Sequence, residues 1–126
     1  MQNPYAKYKQ QSIMTMTQGD MINLLFDETI NCLNKGLLGL ETGDYEATNT
    51  HFKKAQAIIS HLASTLDQQY PVSKGLSSLY EYFNYQIIQA NVRKSPDTVQ
   101  EILPMITELK EAFAQADKQV RIGHTG

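Results

Sequence analysis

The sequence has a single cysteine, Cys32, and no tryptophan among its 126 residues. One thiol forms no internal disulfide, and it makes no zinc site without three further ligands. Cys32 therefore reads as a small apolar core residue, and the cysteine usage points to a reducing compartment. No apolar run approaches the roughly 18–20 residues that span a bilayer, which argues against membrane insertion. The opening Met1-Gln2-Asn3-Pro4-Tyr5 lacks the apolar stretch of a secretory signal, so the expected location is cytoplasmic. There is no run of Lys or Arg, and the formal net charge is −2. Both count against a nucleic-acid partner.

Signals for chemistry are equally sparse. No Gly-rich phosphate loop is present. Gly36 and Gly39 stand late in a helical segment, without the Lys-Ser/Thr ending that such a loop needs. No Ser-centred nucleophile elbow occurs. The three histidines are His51, His61 and His124. The first two are nearly three helical turns apart and do not share a metal. The paired Glu-x-x-His pattern of carboxylate-bridged di-iron bundles is absent. The expectation is no cofactor, no metal and no catalytic residue.

What the chain does have is helical periodicity in four segments, with none that alternates as a strand does. The first carries Ile22, Leu25, Phe26, Thr29, Leu33, Leu37 and Leu40 on one face. Thr17-Gln18-Gly19-Asp20 opens it as a capping box, with Asp20 in place of the usual Glu. The second carries Tyr45, Thr48, Phe52, Ala55, Ile59, Leu62 and Leu66, with Asp44 as N-cap. A break at Gln68-Gln69-Tyr70-Pro71 precedes the third, which has Leu76, Tyr80, Phe83, Ile87 and Ala90, and Ser73 as a candidate cap. The fourth carries Val99, Ile102, Ile106, Leu109, Phe113, Ala116 and Val120. Ser95 is its expected cap, Pro96 its first helical residue, and Pro104 an expected kink. Four amphipathic helices with short connections predict an all-α, antiparallel four-helix bundle. The expected division is an N-terminal arm at 1–16 packed against the bundle, the bundle at 17–118, and a flexible tail at 119–126.

Apolar surface exceeds what one core requires. Leu79, Tyr82, Tyr85, Ile88 and Val92 lie off the main stripe of the third helix, and Leu24 lies off that of the first. Such faces meet the N-terminal arm, pack a wide core, or take a partner helix.

One short motif suggests different chemistry. His51-Phe52-Lys53-Lys54-Ala55 is similar to the core of histidine phosphotransfer domains, which are also four-helix bundles. There an exposed imidazole accepts a phosphoryl group and a lysine one turn on steadies its charge. Lys53 stands where that family has an apolar residue. A phosphotransfer domain using His51 is the alternative reading.

A longer series of residues resembles the FliS family of flagellar export chaperones, over roughly residues 3–116. Asn3-Pro4-Tyr5-Ala6-Lys7-Tyr8, Gln11-Ser12 and Thr17-Gln18-Gly19-Asp20 are similar to its N-terminal pattern. Leu24-Leu25-Phe26-Asp27 resembles its Leu-Tyr-Asp-Gly stretch, with Phe26 for Tyr and Glu28 for Gly. Gly43-Asp44-Tyr45 and Lys54-Ala55-Gln56-Ala57-Ile58-Ile59 are similar to its second helix, and Leu66-Asp67 to that helix's end. Leu79-Tyr80-Glu81-Tyr82-Phe83-Asn84, then Ala90-Asn91, is the most specific stretch. Leu109 and Phe113 fall where the family has Leu and an aromatic.

The resemblance implies a chaperone that binds the C-terminal segment of flagellin. That segment is disordered before assembly and helical in the filament. Covering it blocks premature polymerisation, and the complex is presented to a component of the flagellar export gate. The implied client-binding residues are Tyr8, Ile13, Leu24, Tyr80, Tyr82, Phe83, Asn84, Ile87, Ile88 and Asn91. Phe83 and Ile87 fit the core stripe as well. Asn84 and Asn91 suit either the client's backbone or hydrogen bonds within the bundle. The resemblance implies an N-terminal arm that can cover part of the client site and move on binding; the residues themselves leave open whether it is such a cover or an ordinary ordered arm. The resemblance leaves open whether other flagellar regulators share the surface and whether the free chain forms a homodimer.

Overall fold

The computed structural model describes the backbone of residues 17–125 and the side chains of residues 17–119. The arm at 1–16 lies outside the described residues. Four helices follow in order: α1 (Gln18–Thr42), α2 (Tyr45–Ser64), α3 (Val72–Arg93) and α4 (Asp97–Thr125). Among the described residues there is no strand.

Local chemistry sets most of the helix ends. At the start of α1 the Thr17 hydroxyl accepts from the Asp20 N–H at 3.1 Å, and the Asp20 carboxylate accepts from the Thr17 N–H at 3.3 Å. Two of the four donors that a helix start leaves open are thereby satisfied. α1 ends at Gly43, whose φ of 77° is left-handed and suits a residue without Cβ. Asp44 then caps α2, accepting from the Ala47 N–H at 3.1 Å. α3 departs from expectation. It begins a residue after Pro71, and Ser73 does not cap it. Ser73 is buried inside the first turn and donates to the Tyr70 carbonyl at 2.7 Å. α4 begins at Asp97, one residue later than expected. The Pro96 carbonyl accepts its first bond, from Gln100, at 2.9 Å. The helix runs on through Pro104 to Thr125, past residue 118.

Each helix packs on its chain neighbours, and α1 also packs on α4. The square closes with α1 diagonal to α3 and α2 diagonal to α4. Paired residues give the directions. Glu28 meets Lys54, while Gly36, later in α1, meets Thr48, earlier in α2. Asn84 meets Ser60 and Asn91 meets Asn49. Asp27 meets Lys110, and Phe26 packs on Phe113. Every adjacent pair is antiparallel, as the sequence predicts.

The core holds Phe26, Leu33, Phe52, Ile59, Leu62, Tyr80, Phe83, Ile87, Ile102 and Ile106. Cys32 is buried among them and its burial pushes the thiol up, in line with a core role. Tyr45 leaves the expected stripe. It is exposed at the first turn of α2, with the Lys94 ammonium 6.0 Å from its ring centre.

Candidate functional site

The outward side of α3 carries a row of apolar side chains at helical spacing. Tyr82 is 36% exposed, Tyr85 58%, Ile88 43% and Val92 75%. A row of this kind on a small bundle is what a partner helix covers.

Hydrogen bonds fasten both edges of this row to the neighbouring helices. On the α2 side, the Asn84 amide donates to the Ser60 hydroxyl at 3.1 Å. The Asn91 amide donates to the Asn49 side-chain oxygen at 2.8 Å, and its own oxygen accepts from the Lys94 ammonium. On the α4 side, the Tyr82 hydroxyl donates to Glu101. That bond pushes the phenol's pKa up. Gln86 is buried beneath, and its amide donates to Tyr82 at 3.2 Å and to Glu101 at 3.1 Å. Nothing in the apolar pattern singled out Gln86, because a buried glutamine gives no periodic signal.

The residues expected to bind a client divide into five groups. Tyr82 and Ile88 are exposed in the α3 row. Tyr80, Phe83 and Ile87 are core residues beneath it, so in this structure they shape the surface without being offered to a partner. Asn84 and Asn91 are half-buried in the α2–α3 seam, hydrogen-bonded within the bundle, and the Asn84 side-chain oxygen is buried with no partner. Leu24 is 40% exposed on the outer side of α1, diagonally across from α3, and does not join the row. Tyr8 and Ile13 lie outside the described residues. Tyr85 and Val92, which are not in that set, are more exposed than any of its described members.

At one end of the bundle, Ile22, Leu62, Leu66, Leu76, Tyr80 and Phe113 line an apolar recess of about 170 Å³. It lies beside the start of α1, where residues 1–16 join.

The phosphotransfer motif finds little support. Lys54 is not poised over His51; its ammonium is 3.2 Å from the Glu28 carboxylate on α1. That hydrogen bond holds Glu28 below the usual carboxylate range. Among the described residues no group of three His, Cys, Asp or Glu side chains converges, and no helix is long and apolar enough to cross a membrane.

Comparison with known proteins decides the family. The family model described as Flagellar protein FliS matches residues 1–120. The chain belongs to the FliS family. The flagellar secretion chaperone FliS of Bacillus subtilis is 29% identical over 120 residues, covering 95% of this chain and 90% of that protein. The Salmonella typhimurium protein of the same description is 31% identical over 115 residues, covering 88% of this chain and 85% of the relative. The Escherichia coli one is 23% identical over 108 residues, with 83% and 79% covered. The family match reaches from residue 1 to residue 120, across the first three helices and most of α4.

Proposed function

We propose that this FliS-family chain is a cytoplasmic flagellar export chaperone that holds the C-terminal segment of flagellin and keeps it from polymerising. The observation that carries the reading is the exposed row Tyr82, Tyr85, Ile88 and Val92 on a bundle whose relatives are described as flagellar secretion chaperones. The activity is binding, not catalysis.

The physics of such a client fits this surface. A segment that is disordered when free and helical in the filament has an amphipathic face to bury. It orders on binding, so it gives up some affinity and gains reach. Reach matters here, because Leu24 and the α3 row face away from each other across the bundle diagonal. A single preformed helix touches one of them. An extended segment that folds as it wraps can touch both. In this reading the arm at 1–16, with Tyr8 and Ile13, lies over part of the client path and moves when the client arrives. The loaded complex then goes to the export gate.

The test is seeded polymerisation of monomeric flagellin, followed by light scattering. An equimolar amount of this chain should suppress filament growth. Flagellin that polymerises at the same rate with and without it would contradict the proposal.

A further inference from the structure

We propose that Glu101 and Gln86 are positioning residues that hold the Tyr82 ring at the rim of the α3 surface, so that the partner's footprint extends across the α3–α4 seam. The inference rests on the reading that this surface holds a flagellin segment.

The argument starts from Gln86. A buried amide is costly unless its hydrogen bonds are made, and an apolar residue would pack this seam without that cost. Its N–H donors go to the Tyr82 hydroxyl oxygen at 3.2 Å and the second Glu101 carboxylate oxygen at 3.1 Å. The Tyr82 hydroxyl donates to the first Glu101 oxygen, closing a three-membered ring of contacts. Glu101 needs only acceptor atoms for this, and an ionised carboxylate has them. The joint is braced from behind, where the Thr98 hydroxyl donates to the Gln86 backbone carbonyl at 2.7 Å.

The ring so held is not a core ring. Tyr82 stays more than a third exposed, and its ring lies 6.4 Å, centre to centre, from the buried Phe83 ring, tilted by 51°. Tyr85, one turn on, has no such tether among the described residues. A tyrosine on a helix surface samples several rotamers, and ordering it on binding costs affinity. A tether that removes that freedom beforehand favours the complex. It also leans the ring toward α4, away from the Asn84 and Asn91 edge.

The experiment is a calorimetric titration of the full chain with a peptide of the last ~45 residues of flagellin, a client expected to fold on binding. Tyr82→Phe keeps the ring and frees it; Glu101→Leu removes the tether from the other side. Each should weaken binding roughly three- to tenfold, the usual worth of one hydrogen bond. The double variant should be no weaker than either single one. Glu101→Gln keeps an acceptor oxygen for the hydroxyl and should recover part of the loss. Thermal midpoints of the free variants are measured alongside. Lowered midpoints with unchanged affinity would make the cluster a structural brace and overturn the proposal. Additive losses would mean that Tyr82 and Glu101 touch the client separately, and would overturn it too. If the unaltered chain fails to bind the peptide, the functional reading falls and the inference with it. If it binds and the variants match it, only the inference falls.

Discussion

Tyr80 and Tyr82 stand two residues apart and face opposite ways. Tyr82 offers its ring to the outside. Tyr80 is buried in the core, and burial pushes its phenol up to about 12 from the usual 10. The unfolded chain ionises this group near its ordinary value, while the folded chain resists. Stability from this source is intact below pH 10 and is lost as the pH rises through about 12. Tyr80→Phe removes the ionisable group, so the midpoint of alkaline unfolding, followed by circular dichroism, should move upward. An unchanged midpoint would mean that Tyr80 is better solvated than its burial implies. Glu28 behaves in the opposite sense. The Lys54 bond lowers its pKa from 4.5, so its contribution is present above that value and fades as the pH falls. Both partners are well exposed, and such a pair is worth little.

Between elements, α1 and α2 approach closely at two glycines. A Cβ added to Gly36 would run into the ring of Phe52, which is fully buried and has nowhere to move. Gly39 meets Thr48 in the same way. The Thr48 hydroxyl uses the closeness, donating to the Gly36 carbonyl at 3.0 Å. Overpacking of this kind costs about 1–3 kcal/mol. Gly36→Ala should therefore lower the urea midpoint by that much stability, and a midpoint equal to that of the unaltered chain would show that the helices can part without cost.

These glycines mark where sequence reading stopped. The apolar stripes, the capping box at Thr17 and the Asp44 cap were legible because each is local: period, hydroxyl and carboxylate all lie within one turn. The antiparallel bundle follows from the stripes and the short connections. A glycine needed for helix approach has no local signature, and Gly36 and Gly39 could be weighed only against a phosphate loop. Phe83 and Ile87 fit both the core stripe and the binding face on spacing alone. Which side of α3 faces α2 decides that they are core, and that Asn84 and Asn91 bond within the bundle. Tyr45 follows the stripe in period but lies at the first turn of α2, beyond the reach of the core. Ser73 looks like a cap from composition, yet it sits inside the turn and bonds backward to Tyr70.

At the scale of the whole molecule, the bundle order governs how a partner can sit. α1 and α3 are diagonal, so their exposed apolar residues face opposite directions. The α3 row is the larger, and it is braced by polar bonds to α2 on one side and α4 on the other. A rigid, pre-formed face of this kind lets a folding client bear most of the ordering cost. On the proposed function, binding centres on α3 and α1 is reached by wrapping.

The most direct measurement is the affinity of the flagellin C-terminal peptide for the unaltered chain and for Ile88→Asp, by calorimetry at two temperatures. Ile88 is exposed, so the charge should leave the helical circular dichroism unchanged. The account predicts saturable one-to-one binding, a negative heat-capacity change, and a loss of about tenfold or more in the variant, as expected for a charge placed in an apolar contact. Equal affinity of the two chains would contradict the placement on α3, and no binding by either would contradict the chaperone reading itself.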